Sequence, residues 1–241
     1  MMKQLSWLPL LLIGSAVVSG CSKNPEENSC NIKTAGVYVE YTVHAEGASA
    51  VADATFWVGN APGGTYLTLG DCGDTITVNG QPLVHQSGAD NDYYETNVTP
   101  TDVYKFVFTR QGESPYTSTV STPAAVDITA PTAGTSISRA EAFDIKWTAN
   151  PGGKIHLLIS GDDANKCIQD YPTYESDRAI DDTGTYTVNA GAIQPFVSSD
   201  ATKSCSATIA LERSEPGTLD PSLKGTINGF AAGHTTFTST P

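Results

Sequence analysis

The sequence has no cluster of basic residues, and its bases are half as numerous as its acids. Lysine and arginine together number 13 against 26 aspartates and glutamates, so the formal net charge at pH 7 is −13. Such an acidic surface repels phosphate backbones, and we expect no nucleic-acid partner. The apolar run from Leu8 to Val18 is shorter than the roughly 20 residues that a membrane-spanning helix needs.

Motifs for catalysis and for metal binding are also missing. The sequence contains no GxSxG nucleophile motif and no CxxC pair, and its four histidines show neither HxH nor HExxH spacing: His44, His85, His156 and His234. The pairs Gly63-Gly64 and Gly152-Gly153 do not precede helices and indicate hairpin turns. We therefore expect no catalytic residue, no cofactor and no metal site.

Helical periodicity is nearly absent after residue 30, and two-residue alternation takes its place. The segments 36–45, 103–110 and 206–213 alternate apolar with polar residues and are rich in valine, threonine and aromatics. Such runs, bounded by glycine, proline, asparagine and aspartate, are typical of half-buried strands in antiparallel sheets. The sequence predicts an all-β protein.

An internal similarity links residues 55–83 with residues 145–163 and 182–193. Trp57 aligns with Trp147, and Gly63-Gly64 aligns with Gly152-Gly153, at an offset of about 90 residues. That spacing suits two tandem sandwiches of about 100 residues each. Each copy reads as a strand with an inward tryptophan, a Pro-Gly-Gly turn, a second strand and a Thr-x-Thr-Val-Asn segment.

The N-terminal 20 residues have the layout of a secretory signal, with Lys3, an apolar stretch and small residues at its end. Val18-Ser19-Gly20-Cys21 resembles the lipobox of bacterial lipoproteins. The resemblance implies that residues 1–20 are removed and that Cys21 carries the lipid that anchors the protein to the membrane. Ser22, in place of the aspartate that marks inner-membrane retention in enteric relatives, favours the outer membrane, on its periplasmic or cell-surface face.

Four cysteines remain once Cys21 is lipidated, and an exported protein is expected to use them in disulfides. Four cysteines allow three pairings. The economical one is Cys30 with Cys72 and Cys167 with Cys205, because each bridge then closes a loop of about 40 residues within one half of the chain.

The segment TAPTAGTSISRAEAFDIKW (129–147) resembles the opening strands of immunoglobulin-like and fibronectin-III-like domains. The resemblance implies two tandem antiparallel β-sandwiches. We place a signal peptide at 1–20, a tether at 21–30, a first sandwich at 31–124 and a second at 125–241.

Acidic loops occur at Asp90-Asn91-Asp92, at 161–165 and at 177–182, and clustered carboxylates are ligands that calcium prefers. None of them has the spacing of the twelve-residue calcium loop, and aspartate and asparagine are favoured in turns without any metal. We interpret these loops as turns and predict no metal.

Tyrosines beside the acidic loops form possible ligand-binding platforms: Tyr93, Tyr94, Tyr171 and Tyr174. Rings displayed next to carboxylates can stack on sugars, and the long segment 162–184 has the length of a functional loop. Two hypotheses remain open. One is a non-catalytic, lipid-anchored protein that acts in adhesion, recognition or envelope organisation through a protein partner; the other is a glycan-binding module or subunit that serves an enzyme or transporter.

Overall fold

A computed structural model describes residues 26–70, 72–87, 92–162, 166–172 and 179–241. Nearly all of the regular structure in these ranges is β-strand, with a few short 3₁₀ turns. No helix within the described ranges has the length and apolar character to cross a membrane. The prediction of an all-β protein is confirmed.

The strands divide into two groups along the chain. Those of the first group are β1 (Glu26–Asn28), β2 (Val37–Glu46), β3 (Ser49–Val58), β4 (Tyr66–Thr68), β5 (Thr75–Val78), β6 (Gln81–Pro82), β7 (Val84–Ser87), β8 (Asp92–Val98), β9 (Tyr104–Thr109) and β10 (Tyr116–Val120). Those of the second are β11 (Ile128–Ala130), β12 (Thr135–Ser138), β13 (Phe143–Trp147), β14 (Lys154–Gly161), β15 (Ala179–Asp181), β16 (Thr185–Val188), β17 (Cys205–Pro216) and β18 (Lys224–Thr240).

The first sandwich has the strand order of an immunoglobulin domain. One sheet runs β2-β3-β8-β7 and the other runs β6-β5-β9-β10. Taken in these sheet orders, the strands correspond to A, B, E and D of one immunoglobulin sheet and to C′, C, F and G of the other. Tyr104, at the start of β9, accepts a hydrogen bond on its hydroxyl from the backbone N–H of Thr101 at 3.2 Å, as in the tyrosine corner of this fold.

The second sandwich has a similar arrangement, although its strands β17 and β18 are longer than any strand of the first group. Strands β11, β13 and β16 form a three-stranded sheet in the positions of A, B and E. The facing strands β12, β18, β17 and β14 take the positions of A′, G, F and C, with β15 at the edge. The predicted fold class of two tandem immunoglobulin-like sandwiches is therefore confirmed by strand order.

Two-residue alternation builds the first core, as the sequence predicts. Strand β2 turns every second residue inward, and these four are at most 1% exposed: Val37, Val39, Tyr41 and Val43. The rings of Tyr41 and Phe106 stack across the two sheets with centroids 4.9 Å apart. This inter-sheet aromatic packing supplies large apolar burial in a domain of about 100 residues.

Strand β18 is 17 residues long and belongs to both sandwiches. Its residues 224–231 pair in parallel with β2, and its residues 228–239 pair in antiparallel fashion with β17. Ile227 packs in the first core, whereas Phe237 packs in the second. The predicted second domain, 125–241, therefore needs correction, because its C-terminal segment from Leu223 to Ala231 completes the first sandwich.

The linker between the sandwiches, residues 121–127, crosses β18 at two glycines. A Cβ atom on Gly229 would lie 2.2 Å from the carbonyl oxygen of Ser121, and one on Gly233 would lie 2.2 Å from that of Val126. Real Cβ atoms do not approach oxygen so closely. Glycine at these two positions therefore lets the linker lie directly on the shared strand.

A buried arginine on β17 also contacts this linker. The Arg213 guanidinium donates to the carbonyl oxygens of Ala124 and Ala125 at 2.8 and 2.7 Å, and to that of Thr148 at 2.5 Å. Its Nε lies 2.6 Å from Oδ2 of Asp182, and both side chains are at most 3% exposed. The ion pair and three carbonyls together satisfy most of the five donors of this charged group.

The N-terminal segment is folded from Glu26 onward, so the predicted tether 21–30 is too long. Strand β1 pairs in parallel with β4, and the Arg110 guanidinium donates to the carbonyl oxygens of Ser29 and Ile32 at 2.6 and 2.8 Å. These bonds dock a polar stretch that lacks apolar periodicity. Composition alone did not reveal this because the partner groups are about 80 residues away.

Both expected disulfides are present, Cys30–Cys72 and Cys167–Cys205.

The internal similarity between the two halves of the sequence holds only in part. Trp57 and Trp147 both end a B strand, but the Thr-x-Thr-Val segments at 75–78 and 185–188 lie on strands C and E, respectively. Those segments are therefore not structural equivalents.

We predict that Gly229→Ala lowers the free energy of unfolding by about 2–4 kcal/mol, because the new methyl group must displace the linker or β18. The matched control is Gly64→Ala, whose Cβ would lie an ordinary 3.6 Å from the nearest atom. Urea unfolding of both variants measures the difference. Equal stability of the two variants would contradict the packing of the linker on β18.

Candidate functional site

The outer surface of the first sandwich carries a cluster of aromatic and acidic side chains. Because alternate residues of β2 and β3 fill the core, the residues between them face outward. Together with neighbours on β4 and β8 they line a shallow cavity of about 370 Å³, which we call the aromatic–carboxylate face: Glu40, Asp53, Thr55, Trp57, Tyr66, Tyr93 and Glu95. None of these residues is basic.

Cross-strand pairing sets the order of these side chains. Trp57 on β3 is opposite Tyr38 on β2 and Tyr66 on β4. Its indole ring is 6% exposed and lies 6.0 Å, between centroids, from each tyrosine ring. The buried indole thus supports two half-buried tyrosine rings, which remain accessible from solvent.

The carboxylates of Glu40 and Asp53 lie two and four residue pairs farther along the same strands. Glu40 is opposite Thr55, and Asp53 is opposite Glu95. The Thr42 hydroxyl donates to Oδ2 of Asp53 at 2.5 Å. Burial raises the pKa of Asp53, and Glu95 and Glu40 raise it further, which outweighs the lowering by Thr42 and His44.

The arrangement combines flat apolar rings with several hydrogen-bond acceptors in an open cavity. Ligand sites are typically concave, mostly apolar and equipped with a few polar groups that orient the ligand. Tyrosine rings stack on flat apolar surfaces, and carboxylates accept hydrogen bonds from hydroxyl and ammonium groups. The face is therefore suited to a polar ligand with an apolar side, and repels anions.

Two of the predicted tyrosines fall on opposite sides of β8. Tyr93 is half-buried and lines the aromatic–carboxylate face. Tyr94 is 8% exposed, its ring packs edge-on against Phe56, and its hydroxyl accepts a hydrogen bond from the backbone N–H of Leu69 at 2.7 Å. Tyr94 is therefore a core residue and cannot form an exposed platform.

Tyr171 is part of the second sandwich and is not displayed as an exposed ring. Its backbone N–H and C=O both bond to Ile159, and its hydroxyl lies 2.9 Å from that of Tyr186. Burial and this hydroxyl contact raise the pKa of Tyr171 to about 12. Tyr174 and Cys21 lie outside the described residues, as do residues 163–165 and 173–178 of the long segment 162–184.

The acidic loops have structural partners where the structure describes them. Asp181 pairs with Lys154 at 2.6 Å, and Asp182 accepts from the indole Nε1 of Trp147 at 2.7 Å besides its bond to Arg213. Burial raises the pKa of Asp182, but these donors outweigh that effect and hold it below its usual value. Asp90 and Asn91 lie outside the described residues.

Strands β3, β2, β18, β17 and β14 are hydrogen-bonded in one sheet that runs across both sandwiches. Three of the four histidines lie on the outer face of this sheet, near the junction of the sandwiches. His44 stacks on Phe230 at 4.6 Å, and Nδ1 of His234 lies 2.7 Å from Oε1 of Glu46. With His156 they border two adjoining grooves of about 400 and 340 Å³. The fourth, His85, contacts Asp92 in the first sandwich.

The sequence analysis missed most of the aromatic–carboxylate face. It placed Trp57 inward, but Phe56 takes the inward position and Trp57 faces outward beside Tyr38. The signal was present in β2, where Tyr38 and Glu40 alternate with core valines. The prediction also required knowing that β3, β4 and β8 bring five more aromatic or acidic residues alongside.

Comparisons with known proteins add little to this description. No family model matches the chain, and no curated protein matches it. Among solved structures, the tandem Ig repeats of Dlar are 14% identical, with 80% of this chain and 97% of that chain covered at a TM-score of 0.27. Fibronectin(III)-like modules of Clostridium thermocellum CbhA are 12% identical, with 85% and 93% covered at a TM-score of 0.24. The assignment of immunoglobulin-like sandwiches rests on the strand order.

We predict that Asp53→Asn raises the free energy of unfolding at pH 7 by about 0.5–1 kcal/mol. The folded-state pKa of Asp53 is raised, so its contribution to stability is full below its ordinary pKa and is lost as pH rises through the folded value. The gain should therefore shrink at pH 3, where the wild-type carboxyl is protonated. Urea unfolding at both pH values measures it, with the exposed Asp102→Asn as control. A destabilised variant at pH 7 would contradict the burial of an unfavourable charge.

Proposed function

We propose that the protein is a lipid-anchored envelope protein that recognises a glycan, without catalysis, through the aromatic–carboxylate face of its first sandwich. The observation that carries the proposal is the convergence of Tyr66, Tyr93 and three carboxylates around one open cavity. A pyranose has an apolar side that stacks on a ring and hydroxyls that donate to carboxylates. Both requirements are met within this one face.

The anchor is proposed from the lipobox resemblance at Cys21. Only four residues lie between Cys21 and Glu26 of β1, and the five residue-to-residue steps span at most about 18 Å. Lipid on Cys21 would therefore hold the first sandwich close to the bilayer. The ligands within reach are then the glycans of the envelope or those of a surface facing the cell.

We predict that Tyr66→Ala and Tyr93→Ala each weaken glycan binding by about tenfold, the effect of losing roughly 1.4 kcal/mol of stacking. The control is Phe196→Ala, because Phe196 is 50% exposed but belongs to the second sandwich. A glycan array finds the ligand, and calorimetric titration with the best hit gives the affinities. Reducing-end release in the same samples tests for turnover.

Absence of any glycan binding by the wild-type chain would refute the glycan proposal. Binding that survives both tyrosine substitutions would place the site elsewhere. Hydrolysis abolished by Asp53→Asn would replace recognition with catalysis.

A separate prediction concerns where the protein is located in the cell. Wild-type chain should fractionate with the outer membrane and incorporate labelled palmitate, and Cys21→Ala should do neither because the acyl chains supply the membrane affinity. Protease treatment of intact and permeabilised cells then distinguishes the two faces. Digestion in intact cells favours recognition of an external partner, whereas protection until permeabilisation favours a periplasmic ligand. Membrane association of Cys21→Ala equal to wild type would contradict lipid anchoring.

A further inference from the structure

A second group of polar side chains meets at the edge of the first sandwich. Glu26 on β1, His85 on β7 and Asp92 on β8 each offer one ligand atom, and these atoms all lie within 4.8 Å of one another. Glu26 and Asp92, the first and last of the three in the chain, are 66 positions apart in the sequence. Chain proximity alone therefore does not explain their meeting.

Strand pairing positions two members of the group. In the β7–β8 hairpin Ser87 is opposite Asp92 and His85 is opposite Tyr94, so His85 and Asp92 are diagonal neighbours on one side of the strands. Nε2 of His85 lies 3.4 Å from Oδ1 of Asp92. The His85 ring stacks on Tyr94 with centroids 5.0 Å apart, which restrains its orientation.

The third member comes from the docked N-terminal segment. Parallel pairing of Glu26 with Tyr66 places β1 at the open edge of the sheet. The Cys30–Cys72 bridge holds the chain four residues later. Glu26 and His85 are exposed, whereas Asp92 is 5% exposed, so the group has a buried acidic base and an open, solvent-facing side.

This combination of donors selects a class of metal ion. Calcium prefers six to eight oxygen ligands, and magnesium keeps most of its waters. One imidazole nitrogen with two carboxylate oxygens suits zinc and related first-row ions, whose open sites have three protein ligands and a water. An open side facing solvent leaves room for that water.

We propose that Glu26, His85 and Asp92 bind a divalent transition-metal ion, with Zn²⁺ as the best fit, and that the ion joins β1 to the β7–β8 hairpin. None of these three residues lines the aromatic–carboxylate face, although Glu26 is paired with Tyr66 of that face, and Asp92 and Tyr93 project to opposite sides of β8. Metal binding and glycan binding can therefore succeed or fail independently. The sequence analysis predicted no metal because the three residues share no motif spacing.

The test is calorimetric titration of the full chain, purified in detergent, with Zn²⁺. We expect one site per chain, at least tenfold weaker in His85→Ala and in Glu26→Gln, both at exposed positions. The matched control His44→Ala removes an exposed histidine of the same sandwich and should bind as wild type. Zn²⁺ should also raise the melting temperature of wild type and of His44→Ala but not of His85→Ala, and excess Ca²⁺ should not compete.

Asp92→Asn gives a further check, with far-ultraviolet circular dichroism to establish that this variant with a changed buried side chain is folded. A folded Asp92→Asn should also lose the site. Failure of the wild-type chain to bind Zn²⁺, or equal binding by wild type and His85→Ala, would overturn the proposal. Loss of binding in His44→Ala but not in His85→Ala would assign the ion to the junction histidines instead.

Discussion

The architecture depends on one strand that serves two domains. β18 pairs with β2 of the first sandwich through its N-terminal half and with β17 of the second through most of its length. Residues 228–231 of this strand pair with both neighbours at once, so separating the sandwiches leaves backbone polar groups on one side of β18 without their partners. Gly229 and Gly233 admit the linker onto the same strand, and Arg213 holds it there. The tandem repeat is thus built as one connected unit.

This connection also shapes the surfaces of the molecule. The outer faces of β3, β2, β18, β17 and β14 form one continuous sheet surface that runs across both sandwiches. At one end lies the aromatic–carboxylate face, and near the junction lie the histidines around Phe230. Asp53 places a poorly solvated carboxyl between two other acids, an arrangement that costs stability. Such costs concentrate where a ligand or function compensates them, which agrees with the functional proposal for this face.

Local patterns predicted local features well. Alternation identified the strands, because the apolar–polar pattern of a half-buried strand lies within its own residues. The cysteine pairing followed from loop length. Features that depend on distant partners were missed. Lys224 pairs with Tyr38, and Arg110 reaches back to Ser29, across separations that no local pattern encodes. The sequence did not predict which residue faces the core where two aromatics are adjacent. At Phe56-Trp57 and at Tyr93-Tyr94 one ring of each pair faces inward, and composition does not say which.

The central claim is that the shared strand makes the two sandwiches a single cooperative unit. Differential scanning calorimetry of the full chain with both disulfides intact tests it most directly. The account predicts one transition whose calorimetric and van't Hoff enthalpies agree, because unpairing β18 removes strand partners from both cores. Two resolved transitions, or a calorimetric enthalpy about twice the van't Hoff value, would show that the sandwiches unfold independently and would contradict it.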